Sequence, residues 1–186
     1  GGDRLIIYNG QHIENYTKET FVPDNGYVRL VDGDEDGVYE IVFIYEYRLM
    51  TATTPDFNNR LIADKFGEAS LTWESDTKIT VIKDSKTVDI SSIKKGDILL
   101  VYQSDDGTIL KIEVCSKPIK GTLNSFDLKK KRITIEGERY SIEMDYFSAH
   151  TDKFRYNDGS SVIDNNLFLG KQVTAYLAAN GKIAFI

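Results

Sequence analysis

A short acidic stretch is the part of the sequence best suited to metal chemistry. Residues 32–40 read DGDEDGVYE, and four of their carboxylates follow the spacing D-x-D-x-D-G-x-x-E: Asp32, Asp34, Asp36 and Glu40. Calcium prefers oxygen ligands, and carboxylates at alternate positions of a tightly turning backbone can supply them. In this spacing the carbonyl of Val38 falls where such loops donate a backbone oxygen. The candidate calcium ligands are therefore Asp32, Asp34, Asp36, Val38 and Glu40.

The two alternatives to a calcium site at this stretch are a solvated turn and an enzymatic carboxylate pair. The twelfth residue counted from Asp32 is Phe43, so the bidentate Glu of a helix–loop–helix calcium site is missing. Glu40, at the ninth position, would instead complete a calcium loop of the β-hairpin type. Without a cation the carboxylates would repel one another, unless they are simply well solvated on an Asp-Gly-rich turn. An enzymatic carboxylate pair is disfavoured, because nothing in the stretch would hold one carboxyl group protonated.

Residue types used in catalysis occur elsewhere in the chain only in isolation. His12 and His150 show no metal-ligand spacing such as HxxxH, and Cys115 is the single cysteine. No nucleophile elbow G-x-S-x-G, no P-loop and no dinucleotide-binding glycine motif occurs. We therefore predict a protein that is not an enzyme and has no catalytic residues.

Aromatic residues are the remaining candidates for ligand binding. Tyr45 and Tyr47 alternate along one apolar run, so both are predicted to point to one face of a strand. A second group lies further on and comprises Tyr140, Tyr146, Phe147, Phe154 and Tyr156. Exposed rings could stack on a carbohydrate, whereas buried rings would close a small core under a long loop, and we favour the buried arrangement.

The charge of the chain argues against nucleic acid as a partner. The net charge is -6, whereas phosphate binding needs a concentrated face of Lys and Arg. The one basic cluster, KKKR at residues 129–132, falls at a predicted turn. No run approaches the roughly 18 apolar residues of a membrane span, so direct membrane insertion is not expected. The start at Gly1-Gly2 without a signal peptide leads us to expect a fragment of a longer protein.

Short strands joined by turns are predicted along almost the whole chain. RLIIYNGQHIENYT reads as two strands that turn at Asn9-Gly10, because both residues tolerate positive φ. GYVRLVD and YEIVFIYEYRLMTAT are strands on either side of the acidic stretch, which places that stretch at a hairpin tip. No segment shows a long 3.6-residue apolar period, so the predicted fold is all-β, with little helix.

An internal repeat organises the second half of the chain. GDILLVYQSDDGTILKI, from Gly96, aligns without a gap with GKQVTAYLAANGKIAFI, from Gly170, at an offset of 74 residues. Upstream the offset is 54, as between Ile79 and Ile133, so the later copy carries about 20 extra residues within 143–166. We predict an N-terminal β-unit at 1–64, which carries the acidic loop, and two related barrel- or sandwich-like β-modules at 65–116 and 117–186.

The order of these features resembles the β-rich repeat regions of large surface proteins of Gram-positive anaerobic bacteria, which often carry S-layer homology domains. The resemblance is carried by YNG at residues 8–10, by P-x-N-G-x-V-x-L-x-D at residues 23–32, by the D-x-D-x-D-G loop and by the strand at 43–47. Modules of the kind KKGDILLVYQSDDGTILKIEV and KGTLNSFDLKKKRITIEGERYSI follow. The chain departs from the pattern at Glu35, where Gly or a small polar residue is usual.

This resemblance implies an extracellular, cell-wall-associated module with a structural or adhesive role. It implies Asp32, Asp34, Asp36 and Glu40 as the candidate residues of a cation loop, and the loop spacing favours calcium as the cofactor. The expected partners are cell-wall or surface-layer components or other surface proteins. The alternative is a carbohydrate- or protein-binding module of a secreted or wall-bound enzyme.

Overall fold

Strands form nearly all of the regular structure of the protein. The computed structural model describes residues 4–65, 70–115, 118–127, 130–142, 169–177 and 181–186. Within these ranges the helical content is limited to two short 3-10 turns, Glu19–Phe21 and Ile90–Ser92. The prediction of an all-β fold is thereby confirmed. Among the described residues, no helix is long and apolar enough to cross a membrane.

The N-terminal sheet has four strands in the order β2-β1-β4-β3. These strands are β1 (Leu5–Tyr8), β2 (Gln11–His12), β3 (Gly26–Val31) and β4 (Ile41–Glu46). Asn9 and Gly10 form the β1–β2 turn, with the positive φ angles of 46° and 89° that a two-residue hairpin requires. β4 pairs antiparallel with β3 and parallel with β1. Its alternate residues Val42 and Ile44 are buried in one cluster with Ile6.

A second sheet has five strands in the order β5-β10-β11-β8-β9, and a separate pair of short strands is formed by β6 and β7. The strands of this region are β5 (Arg48–Thr51), β6 (Leu61–Ile62), β7 (Leu71–Thr72), β8 (Lys78–Lys83), β9 (Lys86–Val88), β10 (Ile98–Gln103) and β11 (Ile109–Val114). Alternate residues of the central strands, such as Leu99, Leu110 and Ile112, are buried in one cluster with Ile62 and Leu71. The β6–β7 pair thus contributes to the core of this sheet.

The third sheet has five strands in the order β14-β13-β12-β15-β16. These are β12 (Ile119–Asp127), β13 (Arg132–Ile135), β14 (Glu138–Ser141), β15 (Gln172–Leu177) and β16 (Ile183–Phe185). A parallel bridge joins Ile142, directly after β14, to Ile183 of β16. Because β14 and β16 are the two ends of the strand order, this bridge curls the sheet around its core.

The two hairpins that align in the sequence, β10–β11 and β15–β16, have the same spacing between the starts of their strands. β10 begins at Ile98 and β15 at Gln172, and their partners begin at Ile109 and Ile183, so both pairs are 74 residues apart. The register agrees at one pair, because Tyr102 lies opposite Lys111 and Tyr176 lies opposite Phe185. It shifts by one residue at the next pair, because Gln103 lies opposite Leu110 whereas Leu177 lies opposite Ile183. The starts of the four strands therefore follow the offset that the alignment predicts.

Contacts divide the chain into two compact units, Gly1–Val114 and Cys115–Ile186. The predicted boundary at 116–117 lies close to this division, whereas the predicted boundary at 64–65 lies inside the first unit. The difference arises from β5, which precedes residue 64 but pairs with β10 through Arg48 and Val101. In the second module β15 is the counterpart of β10, and it pairs with β12, through Ile119 and Ala175.

Candidate functional site

The acidic loop connects β3 to β4 at the tip of their antiparallel hairpin. Val31 and Ile41 are the last paired residues below the loop, so the two strands hold its ends together. Inside the loop, Glu35 and Gly37 have φ angles of 62° and 85°. Gly37 stands at the sixth position from Asp32, where calcium loops place a Gly for a sharp turn. The strand pair and these two residues bend the loop back on itself.

The bend brings four predicted ligands together. Asp32, Asp34, Asp36 and Glu40 each offer one carboxylate oxygen, and these four oxygens all lie within 4.8 Å of one another. Calcium binds oxygen at about 2.3–2.6 Å, so two ligands of one ion lie at most about 5 Å apart. The spacing of the four oxygens is therefore of the size that one calcium ion spans.

Backbone N–H groups of the loop orient these carboxylates. Gly37 N–H donates to Asp32 Oδ2 at 2.9 Å, and Val38 N–H donates to Asp36 Oδ1 at 2.7 Å. The N–H groups of Asp36 and Gly33 donate to Asp34 Oδ1 at 3.3 Å and to Glu40 Oε2 at 2.5 Å. Each bond occupies one carboxylate oxygen and leaves the second oxygen of that carboxylate for another partner.

The second oxygen of Asp32 is the most informative atom of the loop. Asp32 Oδ1 is shielded from solvent and has no hydrogen-bond partner among the described residues. Leaving a buried charged acceptor without a partner costs about 1–3 kcal/mol or more. A cation bound by Asp32 Oδ1 and by the other three carboxylates would satisfy this oxygen and would offset the repulsion between like charges.

Two further residues of the loop, Val38 and Glu35, lie outside the cluster of four carboxylates. Val38, the predicted carbonyl ligand, is an exposed residue whose N–H already holds Asp36. Glu35, where the chain departs from the pattern of the resemblance, is exposed and is not a member of the cluster of four carboxylates. The cluster consequently retains the predicted D-x-D-x-D-G-x-x-E residues and leaves the extra charge outside.

The isolated histidines and the cysteine lie elsewhere. His12 is exposed at the end of β2, opposite Ile7, and His150 lies outside the described residues. Cys115 is half-buried, and its Sγ–H donates to the carbonyl of Leu177 at 3.0 Å. The cysteine therefore has a local bonding role within the second unit.

The aromatic residues fall into different environments. Tyr45 stacks on Tyr27 with the ring centroids 4.7 Å apart, whereas Tyr47 is buried and packs against Tyr102. The predicted common face for Tyr45 and Tyr47 is thus wrong, because β4 ends at Glu46 between them. Tyr140 packs against the core of the second unit. The other predicted aromatic residues, Tyr146, Phe147, Phe154 and Tyr156, lie outside the described part of the chain.

Asn9 has a role that sequence reasoning missed. Its side chain is buried and donates from Nδ2 to the carbonyls of Glu46 and Gln103, at 2.9 Å each. Its Oδ1 accepts from the N–H of Glu46 at 3.0 Å. The end of β4 and the end of β10 are therefore both bound to the β1–β2 turn. The Asn-Gly dipeptide indicated the turn, but the nonlocal partners had no local signal.

A hydrogen bond between Tyr8 and Glu46 lies beside this junction. Tyr8 Oη–H donates to Glu46 Oε2 at 2.7 Å, and the N–H of Asp24 donates to Glu46 Oε1 at 3.3 Å. Burial, with the hydrogen bond to Glu46 and the charges of Glu46 and Asp105 in addition, holds the pKa of Tyr8 well above its ordinary value of 10.0. Ionised Tyr8 would place a second negative charge against the Glu46 carboxylate.

Removing the Tyr8 hydroxyl should therefore have a pH-dependent effect on stability. Folded Tyr8 keeps its proton at a pH where unfolded tyrosine ionises, so its contribution is complete below pH 10 and declines above it. We expect Tyr8→Phe to lower the free energy of unfolding by about 1–2 kcal/mol at neutral pH. The difference from wild type should shrink towards pH ~11. Urea unfolding of wild type and Tyr8→Phe from neutral pH to pH ~11 measures this difference in the free energy of unfolding. A difference that does not change with pH would contradict the raised pKa of Tyr8.

The fold and the loop together define an all-β chain with a carboxylate-lined hairpin. No protein-family model, no curated protein and no solved structure matches the chain. What the protein does is therefore inferred from the geometry and chemistry of its own residues.

Proposed function

We propose that the chain is a non-catalytic structural or adhesive module of a larger bacterial cell-surface protein, and that calcium stiffens its N-terminal hairpin. The observation that carries the calcium proposal is the cluster of four carboxylate oxygens within 4.8 Å of one another, in which Asp32 also has a shielded Oδ1 without a hydrogen-bond partner among the described residues. The surface role is supported by the tandem β-modules and by the sequence patterns that resemble surface proteins with S-layer homology domains. In this role the module is extracellular and associated with the cell wall.

Calcium would act by joining the two sides of the loop. Asp32 follows the last residue of β3, and Glu40 precedes the first residue of β4. One ion that binds both carboxylates links the ends of the two strands, while Asp34 and Asp36 complete the shell from the middle of the loop. Because an unfolded chain does not hold this geometry, binding stabilises the fold by about 2.7 kcal/mol at a calcium concentration 100 times Kd.

The adhesive part of the proposal rests on the apolar surface of the same hairpin. Four of its large side chains are exposed, namely Tyr27, Leu30, Val38 and Tyr39. Val38 and Tyr39 are neighbours at the tip of the hairpin, and contiguous exposed apolar residues are typical of interaction surfaces. Partners among the wall or surface-layer components, or other surface proteins, would contact this hairpin most readily in its calcium-stiffened form.

The calcium proposal predicts a rise in melting temperature. We expect calcium at about 100 times Kd to raise the Tm of the wild-type chain relative to a chelator by about 5–10 °C, the shift that about 2.7 kcal/mol produces in a chain of this size. The variant Asp34→Ala/Asp36→Ala should lose the rise. The control Glu74→Ala/Asp76→Ala also removes two exposed carboxylates and should keep it. Differential scanning calorimetry measures the Tm of each protein, and calorimetric titration measures its affinity for calcium.

A second pair of variants separates charge from hydrogen bonding. Asp34→Asn/Asp36→Asn retains acceptors for the N–H groups of Asp36 and Val38 but removes two negative charges. We expect this variant to fold as the wild type does in chelator and to gain little from calcium. Identical melting curves of the wild type in calcium and in chelator would show that the loop is a solvated turn and would overturn the proposal.

A further inference from the structure

β3 is the longest strand at an edge of the described sheets. It comprises the six residues Gly26–Val31, whereas the strands at the other edges of the three larger sheets, β2, β5, β9, β14 and β16, have two to four residues each. Proteins often protect an edge strand from further pairing by short length, lysine, proline or a bulge. β3 contains neither lysine nor proline, and its register with β4 is continuous. This edge is therefore open to pairing with another strand.

The register of β3 with β4 determines which backbone groups of β3 point outward. In an antiparallel pair, successive residues direct their N–H and C=O groups alternately towards the partner strand and away from it. Tyr47 N–H donates to the carbonyl of Asn25 at 2.8 Å, so Asn25 and the alternate residues that follow it face β4. The N–H and C=O groups of Gly26, Val28 and Leu30 therefore point away from β4, and no strand in the described part of the chain pairs with them.

Apolar side chains of β3 are exposed on both faces of the sheet. Tyr27 and Leu30 are 50% and 46% exposed, and their odd separation along the strand places them on opposite faces. A partner that stacks on one face of the sheet would cover only one of these two side chains. A strand that joins the edge of β3 would lie beside both, and it would also pair with the outward backbone groups.

A second copy of β3 fits this edge. Two β3 strands related by a twofold axis at Val28 are antiparallel, so the outward N–H and C=O groups of one copy meet those of the other. This register places Leu30 of each copy opposite Gly26 of the other. Because Gly26 has no Cβ, it leaves space beside the backbone for the exposed side chain of Leu30.

The charges of two β3 strands are also compatible in this register. Arg29 of each copy lies opposite Tyr27 of the other copy, and the two arginines do not face each other. The face of an aromatic ring attracts a cation, and the Arg29 guanidinium already lies over the ring of Phe43, 5.4 Å from its centroid. Across the paired strands, Arg29 and Tyr27 can make a second contact of the same kind.

We propose that two copies of the chain associate by antiparallel pairing of their β3 strands, which joins their N-terminal sheets into one continuous sheet. About six backbone hydrogen bonds would link the copies, and Tyr27 and Leu30 would each gain a neighbour from the second copy. The six paired residues a side are fewer than the about 20–30 of a standard interface, so we expect a reversible dimer with a Kd of about 100 µM. This inference goes beyond the proposed function and does not depend on calcium, because the pairing lies outside the acidic loop.

Sedimentation equilibrium of the full chain, in chelator and from about 10 µM to about 1 mM, tests the proposal. We expect a monomer–dimer equilibrium in the wild type. Leu30→Glu places a charge against the second copy, so the Kd of the dimer should rise at least about tenfold. Leu5→Glu is the matched control, because Leu5 is also an exposed leucine but lies on β1, inside the sheet. Its Kd should stay within about twofold of the wild-type value.

Acidic residues just beyond β3 predict how salt affects the dimer. The register brings Asp24 of each copy near Asp32 of the other, at both ends of the paired strands. These like charges repel, and salt screens the repulsion. We expect the wild-type dimer to be about threefold tighter in ~0.5 M than in ~0.05 M salt. A dimer that salt weakens would depend on ion pairs and would contradict this register.

Contacts between the copies identify the register directly. In the paired strands the Cα atoms of Tyr27 and of Arg29 in the second copy lie about 4.5 Å apart, whereas within one chain these two residues are about 7 Å apart. Isotope-filtered NOE spectra of mixed labelled and unlabelled chains should therefore show a contact between the Hα atoms of Tyr27 and Arg29.

Three results would overturn the proposal: a monomer at every concentration, contacts between the copies only at residues outside β3, or equal weakening by Leu30→Glu and Leu5→Glu. A dimer in chelator, together with a Tm that calcium does not change, would support this inference and overturn the calcium proposal alone.

Discussion

Replacing Gly26 by alanine is expected to lower the free energy of unfolding by about 3 kcal/mol or more. Gly26 begins β3 and lies opposite Glu46 of β4. A Cβ at this position would be 2.9 Å from the carbonyl carbon of Tyr45 and 3.0 Å from Cα of Glu46, and closer still to the carbonyl oxygen of Tyr45. These are backbone atoms of the paired strand, so relief requires the two strands to separate.

A second glycine of the same hairpin supplies the control. At Gly33 a Cβ would meet only the Glu40 carboxylate at 3.4 Å, an ordinary contact. Gly33→Ala should therefore change the stability by less than about 1 kcal/mol, measured in chelator so that cation binding does not contribute. Chemical denaturation of both variants gives the comparison. Equal losses would show that β3 does not pair with β4 at this register.

The second large effect is expected at Asn9. Asn9→Ala removes three hydrogen bonds from a buried side chain and leaves two carbonyls and one N–H without this partner. Unsatisfied buried groups cost about 1–3 kcal/mol each, partly relieved by water, so we expect a loss of about 2–4 kcal/mol. Alanine also tolerates the φ of 46° less well than asparagine does.

Two comparisons separate the contributions at Asn9. Asn9→Gly permits the backbone conformation but lacks the hydrogen bonds, so it should retain most of the loss. Asn59→Ala removes an exposed asparagine, bonded to Asp56, and should cost about 0.5 kcal/mol or less. Hydrogen exchange should accelerate at the amide of Glu46 in both Asn9 variants. If the Glu46 amide of these variants exchanged as slowly as in the wild type, the hydrogen bond from this amide to Asn9 would be contradicted.

The acidic loop and the Asn9 junction lie at opposite ends of β4. β4 begins next to Glu40 of the acidic loop and ends at Glu46, which Asn9 binds. Calcium binding and the Asn9 hydrogen bonds would therefore act on opposite ends of one strand. Measuring the calcium-dependent rise in Tm for Asn9→Ala would report whether the two ends are coupled.

Local patterns in the sequence determined the features that depend on neighbouring residues. Alternation of apolar residues predicted strands such as β4, because side chains of a strand point to opposite faces in turn. Asn9-Gly10 predicted its hairpin, because both residues adopt positive φ readily. The flanking strands and Gly37 likewise predicted that the acidic loop is a hairpin tip. These properties require no knowledge of distant segments.

Only the tertiary structure decided which distant segments meet. The parallel pairing of β1 with β4 and the recruitment of β5 by β10 depend on contacts across loops, for which one sequence carries no local signal. For the same reason the sequence could not separate Tyr45, which is stacked at the surface, from Tyr47, which is buried. The acidic loop was predictable because its four clustered carboxylates lie within nine residues, whereas the junction of Asn9 with Glu46 and Gln103 joins distant segments and exists only in the folded chain.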